Sequence, residues 1–196
     1  KIGRGRCRDP EKTQQILDAT IELYIEAGDR GTGIHHVSKR TGIPQTTIYR
    51  RYANKDEMLF AAIEGVTSIP TVRTAGDTWY DLRSIVVEFA FTFFEGQGAQ
   101  ALTALLADEP RHPELMSMYR QKVLWPCRQT LRSVIMRAKA KGKVRTGVDV
   151  SAAVDMIMGA IYCRVYTGIE SEGYLVDSGM NNLWNETKVV SPIQTL

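Results

Sequence analysis

The sequence has few cysteines, no long apolar run and no strand-like alternation of polar and apolar residues. Its three cysteines, Cys7, Cys127 and Cys163, lie far apart and form no CxxC pair, so neither a disulfide framework nor a thiolate metal site is expected. No stretch of about 18 uncharged apolar residues occurs, which excludes a membrane-spanning helix, and residues 1–10 are too basic and polar for a signal peptide. These absences favour an intracellular, cytoplasmic protein with reduced thiols.

What is present is typical of an ordinary globular chain. Of its 196 residues 43% are hydrophobic and 24% charged, with a net charge of +3. That charge is unevenly distributed. Residues 1–56 carry eleven lysines and arginines against seven acids, which makes this segment +4 and the remainder −1. The basic end is therefore the part to test for a polyanionic partner.

Helical start and stop signals organise the first 66 residues. Asp9 is placed to cap a first helix, Pro10 suits the first helical position, and Gly28 is expected to end that helix. Three shorter helices are predicted after it: Thr32–Thr41, capped by Thr32; Pro44–Tyr52, after a turn at Gly42; and a helix capped by Asn54 that runs to Gly65.

A polar stretch with Pro70 and Gly76 predicts a boundary between two domains, residues 1–66 and 67–196. Beyond it, apolar residues recur at helical spacing, and Pro126 is expected to kink the longest helix. Helices are predicted over about 77–95, 97–107, 114–141, 150–167 and 174–184. Because no strand pattern accompanies them, the predicted fold class is all-α.

The stretch Thr32–Lys55 contains the pattern that bears on function. Its apolar residues are expected to lock two short helices at a steep angle around the glycine turn. The second helix then shows glutamine, threonine, tyrosine and arginine side chains to solvent, which are the groups that read base edges or bind phosphates in a DNA groove. A helical hairpin with a merely solvated polar face is the alternative on these residues alone.

The order of helix, glycine turn, TTIYRRY and ANKDEML resembles the N-terminal DNA-binding domain of TetR-family transcriptional regulators. Ser38 and Thr41 stand where small alanines are usual, so they need hydrogen-bond partners if buried. The resemblance implies an N-terminal three-helix helix-turn-helix domain followed by a C-terminal helical bundle domain. The residues that it assigns to DNA contact are Thr32, Gln45, Thr46, Thr47, Tyr49, Arg50, Arg51 and Lys55.

Members of this family dimerise through the last two helices of the C-terminal domain and often hold a small apolar ligand there. By resemblance, the dimer interface is expected at Ala153, Ile157, Gly159, Ala160, Leu183 and Trp184. Aromatic and methionine side chains around the proline-kinked helix are expected to belong to the core first, and the same side chains also suit the lining of an apolar ligand pocket. These are Phe89, Phe93, Met116, Tyr119, Trp125, Met158 and Tyr162.

The resemblance thus implies a homodimeric repressor that binds a palindromic double-stranded DNA operator and responds to a small-molecule effector. No enzymatic activity, cofactor, metal or membrane association is expected. His35 and His36 point about 100° apart on a helix and are poorly placed to chelate one metal. Asp108 and Glu109 are expected to be solvated loop carboxylates rather than a catalytic pair. The alternative function is an all-α ligand-binding or enzymatic bundle with a purely structural N-terminal hairpin.

Overall fold

The computed structural model describes residues 9–68, 76–94, 96–167 and 182–184, and within these ranges the chain is helical with short connections. The described part contains no β-strand, only an isolated antiparallel bridge between Val144 and Trp184, so the all-α prediction is confirmed. None of its helices combines the length and apolar character that crossing a bilayer requires. The α-helices are α1 (Pro10–Gly31), α2 (Ile34–Thr41), α3 (Gln45–Tyr49), α4 (Lys55–Thr67), α5 (Thr78–Phe94), α6 (Gly98–Asp108), α7 (Pro113–Tyr119), α8 (Trp125–Ala140) and α9 (Val150–Thr167).

Helix α1 begins as predicted. The Asp9 carboxylate accepts the backbone N–H of Glu11 at 3.2 Å, and Pro10 occupies the first turn, where a missing N–H costs nothing. The end of the helix differs from the prediction. Gly28 interrupts the helical geometry with φ 62° and ψ −163°, but one more turn follows as far as Gly31. Only glycine adopts this backbone conformation without strain, so the break in α1 is set by the sequence.

The described helices group into two compact units. The first comprises the residues up to Thr67 together with residues 100–119, and the second comprises residues 68–99 and those from Arg120 onward. Most of α6 and all of α7 therefore group with the N-terminal helices. The sequence placed the boundary between residues 66 and 67, and as a division into functional domains that boundary stays a prediction.

In the first unit, α1 packs against α2 and α4, α2 packs against α3, and α4 packs against α7. One apolar cluster lies at the centre of the N-terminal helices, with every member nearly or completely removed from solvent. Helices as short as α2 and α3 do not form alone in water, so this cluster is what stabilises them. It comprises Ile16, Ala19, Leu23, Ile34, Val37, Ile43, Ile48, Tyr52 and Met58.

The turn between α2 and α3 is made as predicted, by Gly42 with φ 71°. Ser38 and Thr41 both find the hydrogen-bond partners that they need: the Ser38 hydroxyl donates to the Ile43 carbonyl at 2.7 Å and the Thr41 hydroxyl to Val37 at 2.8 Å. The predicted helix starts are wrong. Gly33, not Thr32, is the N-cap of α2, and α3 is a single short turn preceded by Pro44 as its N-cap.

In the second unit, α5 packs against α8 and α9, and α8 packs against α9. The predicted helix over 114–141 is not a simple kinked rod, because a π-helical turn, Arg120–Leu124, separates α7 from α8. Pro126 then lies in the first turn of α8, where it needs no donor.

The last predicted helix, 174–184, lies largely outside the described residues. Its described end is not helical. Residues 182–184 form a turn and the bridge to Val144, and the Arg145 N–H donates to the Leu183 carbonyl at 3.0 Å. The Arg145 guanidinium adds a bond to the Trp184 carbonyl at 2.9 Å. Backbone pairing, rather than a helical face, holds Trp184 in the interior of the second unit.

Truncating Ile48, which is fully buried in α3, is expected to destabilise the protein strongly. Ile48→Ala removes apolar contacts and leaves a cavity, so the free energy of unfolding should fall by about 2–5 kcal/mol in a denaturant titration. Leu106→Ala is the matched control, because Leu106 is 42% exposed and its truncation should change stability by about 0.5 kcal/mol or less. Equal effects of the two substitutions would contradict the assigned core.

Candidate nucleic-acid interface

Helix α3 has one buried residue and an exposed polar face. Ile48 points into the core, whereas Gln45, Thr46 and Arg50 are exposed and Tyr49 has 54% of its surface in solvent. Thr47 is half-buried beside them. Because a single apolar anchor holds the helix, most of its other side chains are available to a partner. This is the arrangement that groove recognition requires of a second helix in a helix-turn-helix unit.

Arg51 faces the protein instead of solvent. Its guanidinium donates to the Thr13 hydroxyl at 3.1 Å, to the Thr47 carbonyl at 3.2 Å and to the Asp9 carbonyl at 3.3 Å. These bonds join the residues after α3 to the first turn of α1. Because its guanidinium is engaged within the protein, we leave Arg51 out of the DNA contacts proposed below.

Thr32 is also not presented to a partner. Its side chain is completely buried, and its hydroxyl donates to the Gly28 carbonyl at 2.7 Å. It closes the last turn of α1 after the Gly28 break instead of capping α2. We therefore leave Thr32 out of the DNA contacts proposed below.

The start of α4 is capped as predicted. The Asn54 side chain accepts the Glu57 N–H at 2.8 Å, and the Glu57 carboxylate returns to accept the Ala53 N–H at 2.6 Å. These two bonds hold the first residue of α4, Lys55, in a defined position. The Lys55 ammonium donates to the Asp29 carbonyl at 2.8 Å and pairs with the Asp29 carboxylate at 2.6 Å.

Asp29 belongs to a group of charged residues that sequence reasoning missed. Its second carboxylate oxygen contacts His112 Nε2 at 2.9 Å, and its backbone N–H donates to Asp108 at 3.0 Å. We call Asp29, Lys55, Asp108 and His112 the Asp29 cluster. Asp108 is buried, so its predicted solvation is wrong. Burial, reinforced by the charges of Asp108 and Asp29, raises the pKa of the neighbouring Tyr24 hydroxyl, which stays neutral near pH 7.

Other polar residues of α2 have partners within the unit. Arg40 pairs with Glu26 at 2.8 Å and Glu22 at 3.4 Å, which ties α2 to α1, and its hydrogen bond lowers the pKa of Glu26. The rings of His35 and His36 stack with centroids 4.8 Å apart, and His36 Nδ1 accepts the Gly33 N–H at 3.2 Å. These histidines thus cap and cover the start of α2.

The predicted ligand residues are divided between the two units. Met116 and Tyr119 belong to the first unit, and the others belong to the second. Phe89, Phe93 and Tyr162 contact one another edge to face, with ring centroids 5.0–5.6 Å apart, and Met158 is buried nearby in α9.

Trp125 is different, because 60% of its surface is exposed. It lines an open groove of about 150 Å³ between α8 and α9, together with Arg128, Arg132 and Val154. This position does not agree with a place in an enclosed apolar pocket.

The predicted interface residues also differ from one another in solvent exposure. Ala153 and Trp184 are each only 2% exposed and belong to the interior, whereas Gly159 and Ala160 are exposed and Ile157 and Leu183 are half-buried. The exposed residues of α9 recur at helical spacing along one face. This outer face comprises Ala152, Asp155, Met156, Gly159, Ala160, Cys163, Tyr166 and Thr167, of which Asp155 pairs with Arg128 of α8.

Two family models match the parts of the chain that contain these features. The model of bacterial regulatory proteins of the tetR family matches residues 16–62, which include α2 and α3. The model of the tetracyclin repressor-like C-terminal domain matches residues 72–173, more than half of the chain. The chain belongs to the TetR family of transcriptional regulators. TetR proteins of this kind are DNA-binding regulators and not enzymes.

Individual relatives agree with this assignment. The uncharacterized HTH-type transcriptional regulator YdeS of Bacillus subtilis is 25% identical over 181 residues, which cover 91% of both chains. The fatty acid metabolism regulator protein of the same organism is 24% identical over 82% of this chain and 85% of its own.

Solved structures share the TetR fold. A HlyIIR mutant with a linker in place of one segment has a TM-score of 0.72 at 13% identity, covering 92% of this chain and all of its own. FadR from Bacillus subtilis, solved in complex with stearoyl-CoA, has a TM-score of 0.63 at 21% identity, covering 85% of this chain and 95% of its own.

Adjacent arginines of the recognition segment are expected to differ in their effect on stability. Arg51→Ala removes three hydrogen bonds from a half-buried guanidinium and should lower the free energy of unfolding by about 1–3 kcal/mol. Arg50 is exposed, with one contact at 3.5 Å to Thr47, so Arg50→Ala should change it by about 0.5 kcal/mol or less. Chemical denaturation followed by circular dichroism measures both, and a larger loss for Arg50→Ala would contradict this division of roles.

Proposed function

We propose that this regulator represses transcription by binding a palindromic operator as a homodimer, with α3 in the major groove. The observation that carries the proposal is the exposed face of α3, where Gln45, Thr46, Tyr49 and Arg50 surround one buried anchor. Thr47, half-buried, completes this face. Chromosomal DNA as the partner also implies a cytoplasmic location.

The chemistry of these side chains suits two kinds of contact. Glutamine pairs with adenine edges, arginine pairs with guanine, and threonine offers a hydroxyl and a methyl group to thymine. The exposed Tyr49 hydroxyl and the Lys55 ammonium suit phosphate oxygens, which position the protein without selecting a sequence. We therefore assign Gln45, Thr46 and Arg50 to bases and Tyr49 and Lys55 to the backbone.

Substitutions on α3 are expected to separate these two roles. Gln45→Ala and Arg50→Ala should change the preference at particular base pairs by about 1–3 kcal/mol, whereas Tyr49→Phe should weaken binding to all sequences. Fluorescence anisotropy would compare a duplex selected from randomised DNA by the wild-type protein with a random-sequence duplex over a range of salt concentrations. Arg40→Gln is the control, since Arg40 is paired with α1 and should leave base preference unchanged. Unchanged preference in both α3 variants would refute the assignment of the recognition helix.

The outer face of α9 supports dimerisation. It exposes Met156 to 69% and Tyr166 to 54%, with small residues between them that let a second helix approach closely. On α8, Trp125 and Met136 lie eleven positions apart, hence on one side of that helix, and are 60% and 47% exposed. We propose that a second copy covers both faces around a twofold axis, and that Trp125 belongs to this interface.

An arginine in the outer face should prevent this pairing. A side chain at Gly159 meets no atom within 4 Å in the protomer, so Gly159→Arg should leave the fold intact and yield a monomer by light scattering. Gly65→Arg is the matched control, because Gly65 is also helical and exposed with open space around it, and this variant should stay dimeric.

Alkylation provides a second measurement of the same interface. Cys163 is exposed on the outer face, so maleimide should modify it slowly in the dimer and faster in Gly159→Arg, as peptide mass mapping would show. Burial raises the pKa of the Cys127 thiol to about 11, so Cys127 should react slowly in both proteins. A dimeric Gly159→Arg protein, or a monomeric wild type, would refute this interface.

We also propose control by a small apolar effector within the second unit. The aromatic group of Phe89, Phe93 and Tyr162, with the adjacent Met158, supplies the ring faces and polarizable sulfur that such ligands prefer. FadR binds stearoyl-CoA in its solved complex, which supports an apolar effector without identifying it here. The ligand must bind the two conformations of the regulator with different affinities in order to change operator binding.

A further inference from the structure

The Asp29 cluster joins three separate segments of the first unit through one carboxylate. Asp29 lies at the end of α1, Lys55 at the start of α4, and His112 in the connection between α6 and α7. Lys55 Nζ lies 2.6 Å from one carboxylate oxygen of Asp29, and His112 Nε2 lies 2.9 Å from the other. The Asp29 side chain is only 10% exposed. Because each of its two oxygens has a partner, this buried carboxylate is held in one position.

The two Asp29 contacts of Lys55 leave its ammonium with one further N–H donor. An ammonium group has three N–H donors, and the Asp29 carboxylate and carbonyl, at 2.6 Å and 2.8 Å, account for two of them. The Lys55 side chain is still 31% exposed. It therefore keeps access to solvent while its head group is held in one place.

Asp108 holds the backbone of Asp29, the residue that Lys55 contacts. Its carboxylate accepts the Asp29 N–H at 3.0 Å, next to the Gly28 break. A β-carbon at Gly28 would lie 3.5 Å from the same carboxylate and would also require a positive φ. The contact at 3.5 Å is an ordinary one, so the positive φ is what calls for glycine here. Asp108 in turn holds the residue that carries both Lys55 acceptors.

We propose that Asp29 is a positioning residue for the phosphate contact made by Lys55, and that Asp108 and His112 hold Asp29 in place for it. This inference rests on the proposed function, because it takes Lys55 as a DNA contact. Residues of the α6–α7 connection thereby influence DNA affinity without touching DNA. A lysine that is already ordered loses less side-chain entropy on binding phosphate than a free one does.

The charge of Asp29 has two opposing effects on DNA affinity. A carboxylate near the DNA backbone repels phosphate, so its neutralisation alone would strengthen binding to any duplex. Asp29→Asn also removes the charged partner of the Lys55 ammonium and leaves the Asp29 carbonyl bond. Because a phosphate contact does not select a sequence, affinity should then fall about three- to tenfold for the selected and the random-sequence duplex alike. A rise in affinity for both duplexes would contradict the positioning role.

The experiment is a double-mutant cycle between His112 and Lys55 in the full chain, with the selected and random-sequence duplexes as probes. His112→Leu should lower affinity for the selected duplex about three- to tenfold, and His112→Gln, which keeps a donor, should restore most of it. In the Lys55→Gln background the His112→Leu effect should shrink to about twofold or less. Leu106→Ala is the control, because Leu106 lies on α6 of the same unit and is 42% exposed, and it should leave affinity unchanged. Thermal denaturation of each variant verifies that it is folded at the temperature of the assay.

The outcomes separate this inference from the proposed function. An equal loss for His112→Leu in both backgrounds, or no loss in the wild-type background, would overturn the positioning role and leave α3 as the reading helix. If Lys55→Gln binds the selected duplex as tightly as wild type does, the Lys55 contact and this inference both fail. The proposed function then still rests on Gln45 and Arg50.

Discussion

Burial of one apolar face from each of several short helices is the constraint on which the rest of the first unit depends. Helix α3 spans only Gln45–Tyr49, and helix α2 only eight residues, too few to be stable by themselves. Ile34, Val37 and Ile48 anchor them against Ile16 and its neighbours in α1. Because these anchors occupy so little of each helix, the remaining surface can be polar without loss of the fold.

Local patterns predicted much of this arrangement, because caps and turns depend on neighbouring residues. Asp9, Gly42 and Asn54 act as their residue types indicate. The misplaced cap at Thr32 has a physical reason. As an N-cap its oxygen would accept a backbone N–H of α2, whereas in the structure its hydroxyl donates to the Gly28 carbonyl beside the break in α1. The sequence pattern does not reveal which of these bonds forms. The extended pairing of Trp184 depends on Val144, forty positions away, and no local signal specifies it.

In the candidate site, too, some features follow from local sequence patterns and others depend on contacts between distant residues. The exposed residues of α3 follow from the position of Ile48, because helical spacing determines which side chains lie opposite a buried one. The inward turn of Arg51 requires Thr13 and Asp9 to lie nearby, which only the packing of α3 on α1 provides. The Asp29 cluster also depends on contacts across 79 positions, between Asp29 and Asp108. The adjacent carboxylates Asp108 and Glu109 were therefore expected to be solvated, although Asp108 is buried.

Formal charge overstates the cationic surface available to DNA in the N-terminal segment. Arg40 is compensated by two glutamates, Lys55 by Asp29, and the Arg51 guanidinium is directed to carbonyl and hydroxyl oxygens. Counterion release on binding depends on the phosphates that cations neutralise, and a cation already paired with a carboxylate contributes less to it than a free one. In the function that we propose, the described residues of this segment therefore contribute to DNA affinity through oriented hydrogen bonds more than through free charge. Oriented bonds require a rigid scaffold, and the bonds of Arg51 and Asp29 supply it at the end of α3 and at Lys55.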